Sequence, residues 1–439
     1  MKFTLHCQNE SGERKKLYYN NENGMLYNSD GVSFGDGSAL SNPYKTPFLA
    51  DQERNPIRKS NAPRVLKIQL GLSCNYSCEY CLQRFVPHAD ETSKGLVPSF
   101  IDSVKKNLVG DPDNIQLWGG EPLVYIKTLK PLVSELRDMW PNARISMITN
   151  GSLLRTDVVE WILEKDIDIA ISHDGPAQAI RGDDPLTNIL TAEPIKRLVE
   201  EKKKRGKQVS FNTMIHAQNM DRAKVQDWFK ERIGDDVIIG EGAVIEVYDE
   251  GAVENSLNTH EQRLAIRNLT HNQLVKSEIS NFGIVHDRMN SWMGNMLYGR
   301  ELSSLGMKCG VDRADTLIVD LAGNVITCQN GSAGATAPNG KPHKGGELSD
   351  LSGVKIETAT HFRNRDHCSG CPVVQECKGG CMFLFDELFY RSCNNTYSDH
   401  ISFFTAAVEL TTGFKPIYIE DEAGKLPEER KDIFGIAHE

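Results

Sequence analysis

Residues 64–81 read RVLKIQLGLSCNYSCEYC, an apolar run that leads directly into three closely spaced cysteines. Residues 65–72 (VLKIQLGL) form an apolar run of strand length. Three cysteines, Cys74, Cys78 and Cys81, follow within eight residues. In a loop after a buried strand, such thiols can ligate three irons of a [4Fe–4S] cube and leave the fourth iron open to a non-protein ligand. Zinc fits less well, because it usually takes four protein ligands and residues 81–100 offer only His88 as a fourth.

Downstream of this stretch the chain alternates. Strand-like runs at 114–118, 145–149, 167–172, 208–215 and 237–247 are separated by helix-period segments at 97–108, 126–139, 156–164, 192–205 and 220–232. Strands spaced by helices of this length imply right-handed βαβ units around a parallel sheet. The expectation is an α/β fold, a partial (β/α)6 barrel whose chemistry sits at the C-terminal strand ends.

The flanking regions read differently. Residues 1–63 are rich in Gly, Asn, Ser and Asp, with short alternating runs, and predict a small β-rich segment plus a linker. The barrel then spans 64–250, a helical bridge 251–308, a cysteine-rich domain 309–400 and a C-terminal helix or tail 401–439. The cysteine-rich part is too poor in apolar runs for a large core, so a metal is expected to hold it together.

Composition narrows the function classes. The 439 residues carry a net charge of −10, which argues against a general nucleic-acid binder. The basic run at 202–205 reads as a solvated helix end. No stretch is apolar over the 18 or so residues a membrane span needs, and the polar N-terminus lacks a signal segment. The expectation is a cytoplasmic protein with no membrane partner, in which eleven cysteines serve metals rather than disulfides. Ten of them fall into two groups whose spacings point to three clusters. The second group is Cys309-x13-Gly323-x4-Cys328, then Cys368-x2-Cys371-x5-Cys377-x3-Cys381 and Cys393. Cys7, left over, reads as an inert buried thiol.

The run CNYSCEYC resembles the signature of the radical SAM superfamily. That resemblance implies that S-adenosylmethionine chelates the open iron and is reductively cleaved to a 5′-deoxyadenosyl radical, which abstracts a substrate hydrogen. It places the Tyr80 backbone beside the adenine. It assigns Gly119, Gly120 and Glu121, in LWGGEP, to close approach and to the cofactor ammonium. Asn150 and Ser172, at the ends of the third and fourth strands, become cofactor contacts, and Arg181 a partner of the cofactor carboxylate.

The second group resembles, gap for gap, the SPASM extension of peptide- and protein-modifying radical SAM enzymes. The resemblance gives an inner [4Fe–4S] cluster to Cys309, Cys328 and Cys381, and an outer one to Cys368, Cys371, Cys377 and Cys393. Relatives with an eighth cysteine carry it shortly after the first, where this chain reads GVDRADTL. Asp312, another oxygen ligand or a substrate group would complete the inner cluster.

These resemblances imply maturation of a ribosomal precursor peptide. A side-chain carbon radical would form a carbon–carbon, ether or thioether crosslink with net two-electron oxidation. The alternatives are oxidation of a single residue in a protein substrate, as in the formylglycine formation of sulfatase maturases, and a non-catalytic metal-binding module. Many of those maturases place an aspartate base after the second SPASM cysteine, where this chain has Gln329. Implied partners are the precursor peptide, an electron donor such as flavodoxin or ferredoxin, and a separate leader-binding protein, with the enzyme a monomer. Asp174, His216, Glu246 and Asp249, near strand ends, are the candidate general bases.

Overall fold

The computed structural model describes residues 2–40, 59–84, 86, 93–244, 250–358 and 360–436. The N-terminal segment forms β1 (Lys2–Gln8), β2 (Arg14–Asn20) and the short β3 (Leu26–Tyr27). β1 and β2 pair as a hairpin with Leu5 opposite Leu17, and Asn9 Oδ1 accepts from the Glu13 amide at 2.9 Å to close its turn. Cys7 lies buried on β1, as an inert thiol should.

The central array is the expected one. Strands β4 (Val65–Gln69), β5 (Asn114–Trp118), β6 (Arg144–Thr149), β7 (Asp168–Ser172), β8 (Ser210–Ile215) and β9 (Ile238–Val244) lie side by side, all parallel. Helices α1 (Val97–Asn107), α2 (Ile126–Met139), α3 (Thr156–Glu164), α4 (Ala192–Lys204) and α5 (Arg222–Ile233) connect them. Alternation along each strand decides which face meets the helices. Leu66, Ile68, Ile115, Leu117, Ile145, Met147, Ile169, Ile171 and Phe211 are buried in the main core. Their neighbours Lys67, Gln116, Trp118, Ser146, Ser172 and Asn212 are half-buried on the inner face.

Residues 251–308 supply α6 (His260–Val275) and α7 (Gly283–Tyr298). Thr259 and Gln262 form a reciprocal capping box that starts α6. The cysteine-rich part then adds to the barrel sheet itself. β10 (Thr316–Asp320) runs parallel to β4, with Ile318 opposite Lys67 and Asp320 opposite Gln69. β11 (Asn324–Ile326) and β12 (Lys344–Glu347) continue outward antiparallel, giving a nine-stranded sheet among the described residues.

After the short α8 (Val374–Cys377) the chain enters α9 (Asp386–Thr412), buried along most of its length. Its Asp399 carboxylate takes Arg222 Nη2 and Arg288 Nη2, each at 2.7 Å, and Arg222 also grips Glu241. This network ties α9 to the last barrel unit. Gly413, at φ 77°, ends α9. β13 (Lys415–Asp421) then pairs antiparallel with β1, Ile419 opposite Leu5, giving a four-stranded sheet among the described residues. The short α10 (Glu428–Lys431) follows. Among the described residues no helix is long and apolar enough to cross a membrane.

Candidate active site

The loop carrying Cys74, Cys78 and Cys81 leaves the C-terminal end of β4, and backbone contacts fix its course. The Leu70 amide donates to the Trp118 carbonyl at 2.7 Å, and the Glu121 amide to the Ser73 carbonyl at 2.9 Å. Gly120 packs so closely here that a Cβ would lie 2.5 Å from the Ser73 carbonyl. Gly71 turns at φ 117°, and a side chain there would strike the Tyr125 ring. The hydroxyl of Tyr125 in turn accepts from the Ser73 amide at 2.9 Å. The LWGGEP segment is therefore the bed on which the cysteine loop rests.

Glu121 is buried and accepts three hydrogen bonds. Its carboxylate accepts from the Asn150 amide and the Thr149 hydroxyl, each at 2.7 Å, and from the Leu123 amide at 3.0 Å. Burial raises its pKa, and these donors oppose the shift. Asn150 connects it to the thiols: Nδ2 donates to Asn75 Oδ1 at 3.0 Å and reaches Cys74 Sγ at 3.9 Å. The Tyr76 amide also points at Cys74 Sγ, at 3.4 Å. Burial raises the Cys74 thiol pKa and pushes that of Cys78 up to about 11. Backbone N–H groups on the sulfur and the positive charge of Arg181 near Cys78 favour the thiolate that a metal requires.

Tyr80, Asp174, Arg181 and His216 come together in a second layer. The buried Tyr80 hydroxyl donates to Asp174 Oδ2, and Arg181 Nη1 donates to Tyr80 at 2.5 Å and lies 3.4 Å from Asp174 Oδ1. The Met214 amide donates to Asp174 Oδ1 at 2.9 Å, and His216 Nε2 lies 3.8 Å from Oδ2. Asp174 and His216 are both fully buried, and burial lowers the His216 pKa. Ser172 lies half-buried at the end of β7, in register with Asn212. Glu246, Asp249 and His88 fall outside the described residues.

The second cysteine group meets the same inner face. The loop after Cys328 crosses the ends of β4 and β5. Asn330 Oδ1 accepts from Trp118 Nε1 at 3.1 Å and from Gln83 Nε2 at 3.2 Å, two residues beyond Cys81. Gln69 Nε2 donates to the Gln329 carbonyl at 2.9 Å, and Lys67 Nζ to Gln329 Oε1 at 2.5 Å. Burial lowers the Lys67 pKa, and Cys309 and Cys328 pull it back up. The Asn330 amide lies 3.3 Å from Cys328 Sγ, repeating the N–H-to-sulfur geometry at Cys74.

Cys368, Cys371, Cys377, Cys381 and Cys393 line one cavity. Cys381 also packs with Cys328 around Met307, Ile318 and Phe383, so it faces both ends of the group. Among the described residues no three His, Cys, Asp or Glu side chains converge as a single-ion site requires. A cubane, whose thiolates bind separate irons, asks for a wider spread. Near Cys309, buried Asp312 accepts from the Met307 amide at 2.9 Å through Oδ2, while Oδ1 has no hydrogen-bond partner.

Residues 68–229 match the sequence profile of the Radical SAM superfamily. The chain carries a radical SAM domain. Its α/β architecture agrees with solved structures: anSMEcpe with bound AdoMet aligns at a TM-score of 0.56 and 19% identity, over 80% of this chain and 98% of that one. Native anSMEcpe with bound AdoMet and Cp18Cys peptide aligns at 0.54 and 17%, over 79% and 98%. The radical SAM cyclopropyl synthase TigE of Paramaledivibacter caminithermalis is 21% identical over 392 residues, 78% of this chain and 73% of that protein.

The contacts of Gln83, Asn330 and Lys67 escape a reading by motif. Lys67 did leave a signal, since a charged residue inside an apolar strand run must point away from the helices.

Proposed function

We propose that this radical SAM enzyme abstracts hydrogen from a side-chain carbon of a precursor peptide and forms an intramolecular crosslink. The observation that carries the reading is the Gln83–Asn330–Trp118 contact, which lays the Cys328 loop over the inner face beside the Cys74–Cys81 loop. A radical-generating centre and an electron-accepting centre would then flank one substrate space. The likeness to a structure holding a Cys-containing peptide supports a peptide substrate.

Cys74, Cys78 and Cys81 would hold the first cluster, with S-adenosylmethionine on the open iron. When bound, the two supply a 5′-deoxyadenosyl radical. Glu121, Asn150 and Ser172 would line the cofactor end of the barrel, and Arg181, held by Tyr80 and Asp174, would bring its charge beside Cys78. Cys309, Cys328 and Cys381 would hold the inner auxiliary cluster, for which the unpartnered Asp312 oxygen would supply a fourth ligand. Cys368, Cys371, Cys377 and Cys393 would hold the outer one. An external one-electron donor of the flavodoxin or ferredoxin class would supply the starting electron, and the cysteines of the second group would hold the acceptor for the surplus one. Gln329, tied to Lys67, supplies no carboxylate base, which weighs against a formylglycine-forming reaction.

Mass spectrometry tests the proposal. The reconstituted enzyme, reductant, cofactor and a precursor peptide encoded nearby should give 5′-deoxyadenosine. The peptide should lose two hydrogens, with internal fragmentation blocked. A single oxidised residue with free fragmentation would replace crosslinking by the alternative, and no 5′-deoxyadenosine would overturn both.

A further inference from the structure

Two buried arginines stand against the second cysteine group, Arg365 and Arg430. Arg365 Nη2 donates to a backbone oxygen, the Cys381 carbonyl at 2.9 Å. Arg430 contacts a sulfur: Nη2 lies 3.3 Å from Cys393 Sγ and 2.6 Å from Asn394 Oδ1, and the guanidinium sits 4.7 Å from the Tyr397 ring centre. Among the described residues no carboxylate pairs with it, and its Nε has no hydrogen-bond partner. Cys371 and Cys393 line the same cavity as Arg430, so their thiolate forms would be its counter-charge. Burying a cation without a counter-charge is costly. An anionic cluster on those thiols would remove that cost.

The C-terminal segment is built to hold the guanidinium there. The Tyr397 hydroxyl donates to the Arg430 carbonyl at 2.8 Å. Arg267 Nη1 donates to the Glu429 and Asp432 carbonyls, each at 3.3 Å. The Ile433 amide closes onto the Ile417 carbonyl at 3.1 Å. α9 and α6 thus pin α10 so that Arg430 lines the cysteine cavity.

A [4Fe–4S] cluster on four thiolates is anionic and becomes more so on reduction. A fixed cation hydrogen-bonded to one sulfur stabilises the reduced form more than the oxidised form. We infer that Arg430 is a positioning residue that raises the reduction potential of the outer cluster, the C-terminal segment acting as its cationic cover. This rests on the cluster assignment proposed above.

The test is an anaerobic redox titration of reconstituted full-length protein followed by EPR. The signal missing from C393A identifies the outer cluster. R430Q should keep its iron, and its outer-cluster potential should fall by at least the equivalent of a tenfold change in the reduced-to-oxidised ratio, 59 mV for one electron. R430K, which keeps the charge without the planar donor, should lie between. A fully loaded R430Q with the wild-type potential overturns the inference. If R430Q cannot be loaded, R430K decides: a potential below wild type upholds it and the wild-type value overturns it. A wild-type protein lacking any signal that C393A removes would instead refute the cluster assignment itself.

Discussion

Gln83 Nε2 lies 3.2 Å from Asn330 Oδ1, joining a residue two positions past Cys81 to one two positions past Cys328. The same oxygen accepts from Trp118, at the end of β5. One side chain thus sets the spacing between the two cysteine loops. N330A removes both contacts and leaves two donors to water. It should cost about 1–3 kcal/mol in stability. Cofactor cleavage should continue, while crosslinked product falls roughly tenfold or more, as expected when reacting groups are misplaced. Parallel assays of 5′-deoxyadenosine and product check this, and an equal loss of both would contradict it.

Gly120 has no room for a side chain against the Ser73 carbonyl. G120A should therefore displace the loop to Cys74 and leave the second cysteine group untouched. The expected result is loss of roughly a third of the bound iron with the other clusters retained. Iron analysis with Mössbauer spectroscopy would show whether the loss is confined to the first site.

Asp399 sits between Arg222 and Arg288. Burial alone would raise its pKa, yet the two guanidiniums hold it well below the usual carboxylate range. D399N leaves both cations with Glu241 as their shared carboxylate and should cost about 1.5–3 kcal/mol. Chemical denaturation measures it, and a change under 1 kcal/mol would show the network to be dispensable.

Burial lowers the pKa of His216, His271, His343 and His400. The unfolded chain binds protons at these residues near the ordinary histidine value of 6.5 while the folded chain still resists them. Their contribution to stability is therefore present above pH 6.5 and lost as pH falls below it. The thermal midpoint should drop between pH 7.5 and 5.5. His400, against Arg288 Nη2 at 3.2 Å, should contribute strongly, so H400Q should flatten the profile.

Much of the fold was legible because the barrel is built from local patterns. The strand-like runs and helix-period segments of residues 65–244 matched β4–β9 and α1–α5 closely, since alternation and helical periodicity are short-range consequences of burial on one face. The chain's own pairings were not. β13 against β1, and β10 against β4, depend on contacts hundreds of residues apart that leave no local period.

The candidate site divides the same way. Cysteine spacing, LWGGEP and the turn at Asn150 are contiguous strings whose chemistry can be read directly. The sequence by itself determined the ten thiols and the barrel that carries three of them. Only the tertiary structure decided which residues stand between the two groups and around them. Asn330, Lys67 and Arg430 acquire their roles from where folding brings them, because a hydrogen bond or a buried charge depends on distance through space and not on separation along the chain.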